Sequence, residues 1–440
     1  MALAMPAWAR QAPAADLPGS AAIAARARPP AIPARDFKLA DYGARGNGRT
    51  DCTAALARAI AACHAAGGGR VIVSRGDFLT GRIRLLSRVN LHLETGARLL
   101  FSTAPQAYLP LVRTRWEGIE CMNYSPLIYA YRQHDIAITG DGLLDGQAGE
   151  ENWWRWKNLC GPDRRRLQDD GRRQTPLARR IFGPGHYLRP FFIEPFACRN
   201  VLIEGVRIRR SPMWEIHPVY CRNVIVRRVQ IVSRGPNNDG CDPDSCRQVL
   251  IEHCEFTTGD DCISVKSGRD RDGRRIARPC RDVLIRHSVM HAGHGGLALG
   301  SEMSGGIENI WLEDCAMPGP GLNWALRLKS NPQRGGYIRD IHVRRIRAGT
   351  IAREGVQATL HYGREARGHH LPRLERVWIS DLRCTEARQA LQLTGLVNDP
   401  LRQFHLERCR FEHSRLPAEI RYTSGLELRD VTVNGRRLKA

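Results

Sequence analysis

Residues 200–208 read NVLIEGVRI, residues 223–231 read NVIVRRVQI, and residues 248–256 read QVLIEHCEF. Each segment alternates apolar and polar residues, which is the periodicity of a β-strand. Similar segments begin further along the chain, and successive starts lie 22 to 36 residues apart, at Asp282, Asn309, Asp340, Arg376, Gln403 and Gly425. Strands that recur at this interval predict a solenoid whose coils stack in parallel.

A second recurring strand lies between these segments. Its copies are DGCDPDSC from Asp239, DDCISVKSG from Asp260, HGGLALGSE from His294 and NWALRLKSN from Asn323. Two or three short strands per coil, with few helices, predict an all-β fold, a right-handed parallel β-helix. A β-propeller is the alternative, but its blades need about 40–50 residues. The shorter and uneven spacing favours the solenoid.

The domain organisation follows from this repeat. Residues 37–440 are predicted to form one β-helix domain. Residues 49–69, RTDCTAALARAIAACHAAGGG, predict a helix that covers the N-terminal end of the solenoid, with Leu56, Ile60 and Cys63 on one face. Residues 150–195 interrupt the repeat with nine Arg and three Trp. This insertion is either a solvated excursion or a cationic loop over a groove.

Residues 1–36 are rich in Ala, Pro and Arg and predict a disordered leader or the remnant of a signal peptide. Ala7-Trp8-Ala9 has the small-x-small pattern of a cleavage site. The expected location is therefore outside the bacterial cytoplasm, periplasmic or secreted. The fourteen cysteines are predicted to be small buried residues, of which Cys254, Cys315, Cys384 and Cys409 recur in the repeats, and one or two disulfides stay open.

The formal charge is +22, from 67 Lys and Arg against 45 Asp and Glu. A basic surface favours a polyanionic partner. The basic residues are spread among the strands, and no helix-turn-helix or zinc-finger spacing is present, so nucleic acid is disfavoured. No apolar run approaches the ~20 residues that span a membrane. An anionic membrane surface and an acidic polysaccharide are other polyanions that such a basic surface suits.

Ionisable residues recur at about one coil length in the second strand set. Asp239 and Asp261 are 22 residues apart, and His294, Arg327 and Tyr362 follow at intervals of 33, 33 and 35. Because stacked strands lie about 4.8 Å apart, residues one coil apart are neighbours in space. The sequence therefore predicts a cleft of clustered acids and bases on one face.

This constellation closely resembles the polygalacturonase family, glycoside hydrolase family 28. The family's N-T-D, D-D, G-H-G and R-I-K motifs correspond in order to Asn237-Asn238-Asp239, Asp260-Asp261, Gly293-His294-Gly295 and Arg327-Leu328-Lys329. The resemblance extends from Phe37 to about Tyr362. It is strongest to the bacterial members that remove sugars from chain ends.

The resemblance implies hydrolysis of α-1,4-galacturonosidic bonds with inversion, exo action, and no metal or cofactor. It assigns Asp260 as the general acid and Asp239 with Asp261 as the groups that activate water. His294 would orient an acid. The residues implied to contact substrate are Asn237, Arg327, Lys329 and Tyr362.

Two other functions stay open at this point. A polysaccharide lyase on the same fold would need a Ca²⁺ cluster and a basic residue as base. A non-catalytic glycan-binding solenoid would need surface aromatics but no clustered acids. The sequence leaves open the choice between exo and endo action and the choice among homogalacturonan, rhamnogalacturonan and xylogalacturonan, as well as the oligomeric state.

Overall fold

The computed structural model describes residues 18–363 and 368–439, which form a right-handed parallel β-helix, so the predicted fold class is confirmed. Within these ranges the helices are α1 (Pro18–Arg26), α2 (Thr53–Ala65), α3 (Trp156–Leu159), α4 (Gly161–Arg173) and α5 (Asp270–Ile276). Short 3-10 turns lie at Leu39–Tyr42, Pro105–Tyr108 and Leu177–Arg179.

The strands of the described ranges are short in the N-terminal coils and long in the C-terminal coils. They are β1 (Asp36–Lys38), β2 (Asn47–Asp51), β3 (Gly69–Val73), β4 (Gly76–Thr80), β5 (Ile83–Arg84), β6 (Val89–Leu93), β7 (Ala97–Phe101), β8 (Val112–Trp116), β9 (Ile119–Asn123), β10 (Ile128–Tyr131), β11 (His134–Gly140), β12 (Leu143–Asp145), β13 (Ile181–Phe182), β14 (Ile193–Phe196), β15 (Arg199–Glu204), β16 (Arg207–Arg209), β17 (Arg222–Arg227), β18 (Gln230–Ser233), β19 (Arg247–Glu252), β20 (Glu255–Thr258), β21 (Ile263–Val265), β22 (Cys280–Arg286), β23 (Val289–Leu299), β24 (Ile307–Met317), β25 (Gly321–Lys329), β26 (Tyr337–Thr359), β27 (Arg373–Thr394), β28 (Leu401–Leu416), β29 (Glu419–Arg421), β30 (Thr423–Val433) and β31 (Arg436–Arg437).

The sequence repeat sets the register of the solenoid. Its nine copies are β15, β17, β19, β22, β24, β26, β27, β28 and β30, and each pairs in parallel with the next. Val201, Val224 and Val249 occupy one such row, and all three are buried inside the coil. The predicted repeat is therefore confirmed strand by strand.

The N-terminal segment covers an apolar face on the outside of the solenoid. The row of Leu250, Leu284 and Trp311 points away from the core and packs against α1, where Ile23 is completely buried. The structure therefore differs from the expectation of a disordered leader for Pro18–Arg26, because this apolar row needs a cover. The cleavage-like pattern at residues 7–9 lies outside the described residues.

Helix α2 covers the N-terminal end of the solenoid, as predicted. Leu56, Ile60 and Cys63 form its buried face. The side chain of Asp51 accepts a hydrogen bond of 2.8 Å from the backbone N–H of Thr53 at the helix start. This cover shields the first core layer from solvent, which an exposed end of a solenoid requires.

All fourteen cysteines are buried and free. They behave as small apolar residues, as expected from the sequence, and burial raises the pKa of Cys254 to about 12. The recurring cysteines do not all occupy one row of stacked residues. Cys384 lies in the row of Ala348 and Phe411. Cys409 lies in a separate row, beside Val431.

The bends that begin each repeat use a left-handed backbone conformation. Asn200, Asn223, Asp282 and Asn309 all have φ between 54° and 57°. Their side chains connect neighbouring coils: Nδ2 of Asn223 donates to Oδ1 of Asn200 at 3.0 Å, and Nδ2 of Asn309 donates to Oδ1 of Asp282 at 2.7 Å. Asn and Asp suit these bends because they tolerate this conformation and bond locally.

Replacing Asn223 tests both roles of this bend. Asn223→Ala should lower the free energy of unfolding by about 1.5–3 kcal/mol, since it loses hydrogen bonds and alanine tolerates the left-handed conformation less well than asparagine does. Asn223→Gly should cost less, because glycine adopts this conformation freely. Urea unfolding midpoints of the two variants compare the costs. Equal midpoints would contradict a contribution from the backbone conformation.

Candidate active site

The parallel register brings the predicted acids together. Cys241 pairs with Ile263 on the next coil, so Asp239 and Asp261, each two residues earlier, become neighbours. Asp239, Asp260 and Asp261 each have a carboxylate oxygen within 4.8 Å of an oxygen of the other two. The three acids of two separate motifs therefore form one cluster.

Asp260 and Asp261 both reach this cluster because they lie in the turn between β20 and β21, outside a regular strand. The turn passes close to its neighbour: a Cβ on Gly259 would lie 2.1 Å from the carbonyl oxygen of Gly235. The backbone N–H of Asp260 donates to the carbonyl of Asn238 at 3.2 Å. Only glycine at position 259 permits this approach.

His294 contacts the more exposed member of the pair. Its Nδ1 lies 2.8 Å from Oδ1 of Asp260, and its side chain is 48% exposed. The same oxygen of Asp260 accepts a hydrogen bond of 3.0 Å from the backbone N–H of Asp261. His294 can therefore orient the acid, as the sequence predicts.

Lys329 and Arg327 occupy the same strand, but they have different surroundings. Nζ of Lys329 lies 2.8 Å from Oδ2 of Asp261, and its side chain is 7% exposed. Lys329 thus forms a buried ion pair with Asp261. Arg327 packs its guanidinium 3.6 Å above the ring centroid of Trp324 and donates to Gln357 at 2.9 Å. The ring centroid of Tyr362 lies 5.3 Å from Cζ of Arg327 and 5.4 Å from Nζ of Lys329.

Asn237 touches the acid cluster from the other side. Its Nδ2 lies 3.4 Å from Oδ2 of Asp260. Its Oδ1 accepts hydrogen bonds from Nζ of Lys157 at 2.6 Å and from Nη2 of Arg189 at 2.7 Å. Every residue named from the motifs is therefore at or beside one site.

The structure adds a buried lysine that the sequence analysis missed. Nζ of Lys266 lies 3.9 Å from Asp239, 3.9 Å from Asp242 and 3.5 Å from Glu302. It also lies 4.5 Å from the ring centroid of Trp214. The composition could have pointed to Lys266, because only five of the 67 basic residues are lysines and a rare residue type is a candidate for a specific role. Three of those five reach this site, namely Lys157, Lys266 and Lys329.

The acids of the cluster differ in their affinity for protons. Burial and the carboxylates of Asp242 and Asp260 raise the pKa of Asp239 well above its usual range. Burial tends to raise the pKa of Asp260 as well. The hydrogen bond to His294 and the positive charges of Lys329 and Lys266 outweigh this effect and lower the pKa to about 2. The same hydrogen bond raises the pKa of His294. Without substrate, the proton of this pair therefore resides on the imidazole.

Burial raises the pKa of Asp242 to about 8, although Lys266 and His217 favour its ionised form. Both oxygens of Asp242 are buried and lack a hydrogen-bond partner among the described residues. Burial disfavours the charged form of Lys266, but the carboxylates of Asp242 and Glu302 raise its pKa well above the usual range. The floor of the site thus combines a protonated acid with a permanent cation.

The spacing of the three carboxylates also suits a divalent cation, but their neighbours do not. Lys329 already holds Asp261, Lys266 approaches Asp239, and His294 holds Asp260. A metal ion would have to displace or repel these cations. The donor set therefore fits acid–base chemistry better than metal binding.

The acids open into a cavity of about 290 Å³, whose wall includes parts of the insertion and of the β8–β9 hairpin. Arg164 of α4 pairs with Glu117 of the hairpin at 2.8 Å and closes one side. A second cavity of about 550 Å³ begins at Tyr362 and continues over the C-terminal coils past Gln392 and Arg421. The site is thus closed on one side and open on the other.

Comparison with known proteins agrees with this geometry. The model of the family "Glycosyl hydrolases family 28" matches residues 185–392. A probable polygalacturonase of Vitis vinifera is 31% identical over 383 residues, covering 83% of this chain and 72% of that protein. The chain belongs to glycosyl hydrolase family 28.

This glycosyl hydrolase also resembles proteins described as exo-acting. The crystal structure of a hyperthermoactive exopolygalacturonase from Thermotoga maritima superposes with a TM-score of 0.92 at 43% identity, with 96% of each chain covered. An exo-poly-α-D-galacturonosidase of Dickeya chrysanthemi is 26% identical over 349 residues. The match covers 74% of this chain and 57% of that protein.

The raised pKa of Asp242 predicts the pH dependence of stability. Between the pKa of about 4 of an unfolded aspartate and about 8, the folded glycosyl hydrolase binds the extra proton, so stability falls as pH rises through this window. Asp242→Asn should reduce this loss by about 1 kcal/mol or more, since each pKa unit corresponds to about 1.4 kcal/mol. Urea midpoints at pH 5 and pH 8 measure it.

The exposed acid Asp430 provides the matched control. Asp430→Asn removes the same charge and should leave the difference between the two midpoints unchanged. If Asp242→Asn retained the full wild-type difference, Asp242 would not hold a proton in the folded protein.

Proposed function

We propose that the protein is an exo-acting hydrolase of α-1,4-linked galacturonan that inverts the anomeric centre. The observation that carries exo action is the wall that α4 and the β8–β9 hairpin form on one side of the catalytic cavity, where Arg164 pairs with Glu117. In this proposal a polymer enters from the opposite side, at Tyr362, and its terminal sugar reaches the acids first. The family assignment and the Thermotoga exopolygalacturonase support this proposal.

The proposed mechanism divides the work among three acids. Asp260 protonates the leaving oxygen, and Asp239 with Asp261 activates water on the other face of the sugar: Asp261 accepts the proton of the water, and Asp239, whose pKa is raised, holds the water by a hydrogen bond. Approach of the anionic substrate disfavours the ionised form of Asp260, which raises its pKa from about 2 toward that of a proton donor. His294 supplies the adjacent proton, because it is hydrogen-bonded to Asp260 and its own pKa is raised.

Inversion rests on the family and not on the spacing of the acids. Inverting enzymes usually separate their two carboxyl groups by about 6.5–9.5 Å, and the oxygens of this cluster approach within 4.8 Å. Enzymes of family 28 invert, so this chain performs inversion with a tighter cluster. A water held between Asp239 and Asp261 provides the required attack direction.

Substrate charge is matched by cations at the open side of the cluster. Arg327 lies at the entrance, supported by Trp324 and Gln357. We assign to Arg327 the contact with a galacturonate carboxylate, since a guanidinium binds carboxylates in a bidentate manner. Lys329 contributes by holding the carboxylate of Asp261 in an ion pair, and Tyr362 with Asn237 completes the wall.

The alternatives predicted from sequence fit less well. A lyase needs a free base and a cation-binding acid cluster, whereas Lys329 and Lys266 pair with the acids. A glycan-binding solenoid gives no reason to bury these opposed charges, because removing ions from water costs free energy.

Location follows from the substrate. Pectin-type polymers cannot enter a cell, so we infer export, periplasmic or secreted, to a plant cell-wall substrate. Among residues 18–363 and 368–439, no helix is long and apolar enough to cross a membrane.

Asp260→Asn should retain the fold and lower kcat by about 10²–10⁴-fold, since it removes the proton donor. NMR during turnover by the wild type should detect the β-anomer of the product first. Asp430→Asn, far from the cluster, is the control for loss of one negative charge. More than a tenth of wild-type activity in Asp260→Asn, or initial α-product, would overturn the assignment.

The closed cavity predicts the size of the products. Digestion of polygalacturonate should release mono- or digalacturonate from the first minutes, while viscosity falls slowly. Chromatography of early samples measures the sizes, and a viscometer follows the polymer. A rapid loss of viscosity with mixed oligomers would instead show an open, endo-acting cleft.

A further inference from the structure

Two cations from the insertion grip one atom of Asn237. Nζ of Lys157, on α3, lies 2.6 Å from its Oδ1, and Nη2 of Arg189 lies 2.7 Å from the same oxygen. Arg189 is almost completely buried, and its Nη1 also donates to the carbonyls of Pro212 and Pro236 at 2.9 Å and 2.6 Å. The grip is therefore anchored to the backbone of the solenoid.

This grip determines which way the side-chain amide of Asn237 faces. Lys and Arg side chains are donors and have no acceptor atom. The carbonyl oxygen of the amide must therefore face Lys157 and Arg189. Its nitrogen then faces Asp260, where Nδ2 lies 3.4 Å from Oδ2.

The two oxygens of Asp260 have different occupants. Oδ1 contacts His294 at 2.8 Å and accepts from the backbone N–H of Asp261 at 3.0 Å. Among the described residues, only the amide of Asn237 forms a hydrogen bond with Oδ2, at the longer distance of 3.4 Å. Oδ2 is consequently the oxygen available to carry a proton to a substrate.

We propose that Lys157 and Arg189 are positioning residues, which fix the amide of Asn237 and through it aim Oδ2 of Asp260 at the bond to be cleaved. The insertion would then close the cavity and also complete the catalytic geometry. This inference rests on the proposed function, because it assumes that Asp260 is the proton donor.

A double-mutant cycle between Lys157 and Asn237 tests whether the lysine acts through the asparagine. Lys157→Met and Asn237→Ala should each lower kcat on a galacturonate oligomer about tenfold or more and change KM less than threefold. The double variant should be no slower than Asn237→Ala alone. Lys157→Arg, which keeps a donor, should restore kcat to within about threefold of wild type.

Arg165→Met is the matched control, since Arg165 is an exposed cation of the same insertion. It should leave kcat unchanged, and thermal midpoints should show that all variants fold. Additive losses in the double variant, or a loss confined to KM, would overturn the proposal and indicate a direct contact of Lys157 with substrate.

A second measurement does not depend on turnover. The side-chain amide resonances of Asn237, assigned by their absence from Asn237→Ala, should shift in Lys157→Met and much less in Arg165→Met. Unchanged resonances in Lys157→Met would overturn the grip. If wild type cleaved no galacturonide, the proposed function would fail, while these resonances would still decide the geometry.

Discussion

The in-register stacking of coils is the constraint on which the rest of the structure depends. Each coil satisfies its backbone hydrogen bonds on the next one, about 4.8 Å away. Residues separated by 22 to 35 positions in the chain thereby become neighbours, as with Asp239 and Asp261. A shift of one residue would turn the buried valine row outward and separate the acids. Core packing and catalytic geometry are therefore set by the same hydrogen bonds.

The active site balances buried charges of both signs. Lys329 pairs with Asp261, and Lys266 pairs with Glu302 and lies 3.9 Å from both Asp239 and Asp242. Because burying an ion in a low-dielectric interior costs free energy, the pKa of each acid depends on its own burial and on the charges beside it. The pKa of Asp239 is raised, whereas that of Asp260 is lowered. The two acids therefore differ in their affinity for protons although their side chains are identical.

The insertion connects chain-end specificity to catalysis. Arg164 closes the cavity through Glu117, and Lys157 reaches the acid cluster through Asn237. A segment outside the repeat can do this because the solenoid holds its partners rigidly. Loss of the insertion should therefore affect the rate of cleavage as well as product size.

The sequence by itself determined the repeat, the parallel solenoid, the capping helix α2 and the motif residues of the site, because strand periodicity and turn chemistry are local properties. It did not determine the packing of α1 on the outer face, the pairing of Lys329 with Asp261, or the place of Lys266. The sequence assigns the acidic proton to Asp260, whereas the structure without substrate holds it on His294. These features depend on burial and on distances between distant segments, which only the tertiary structure decides.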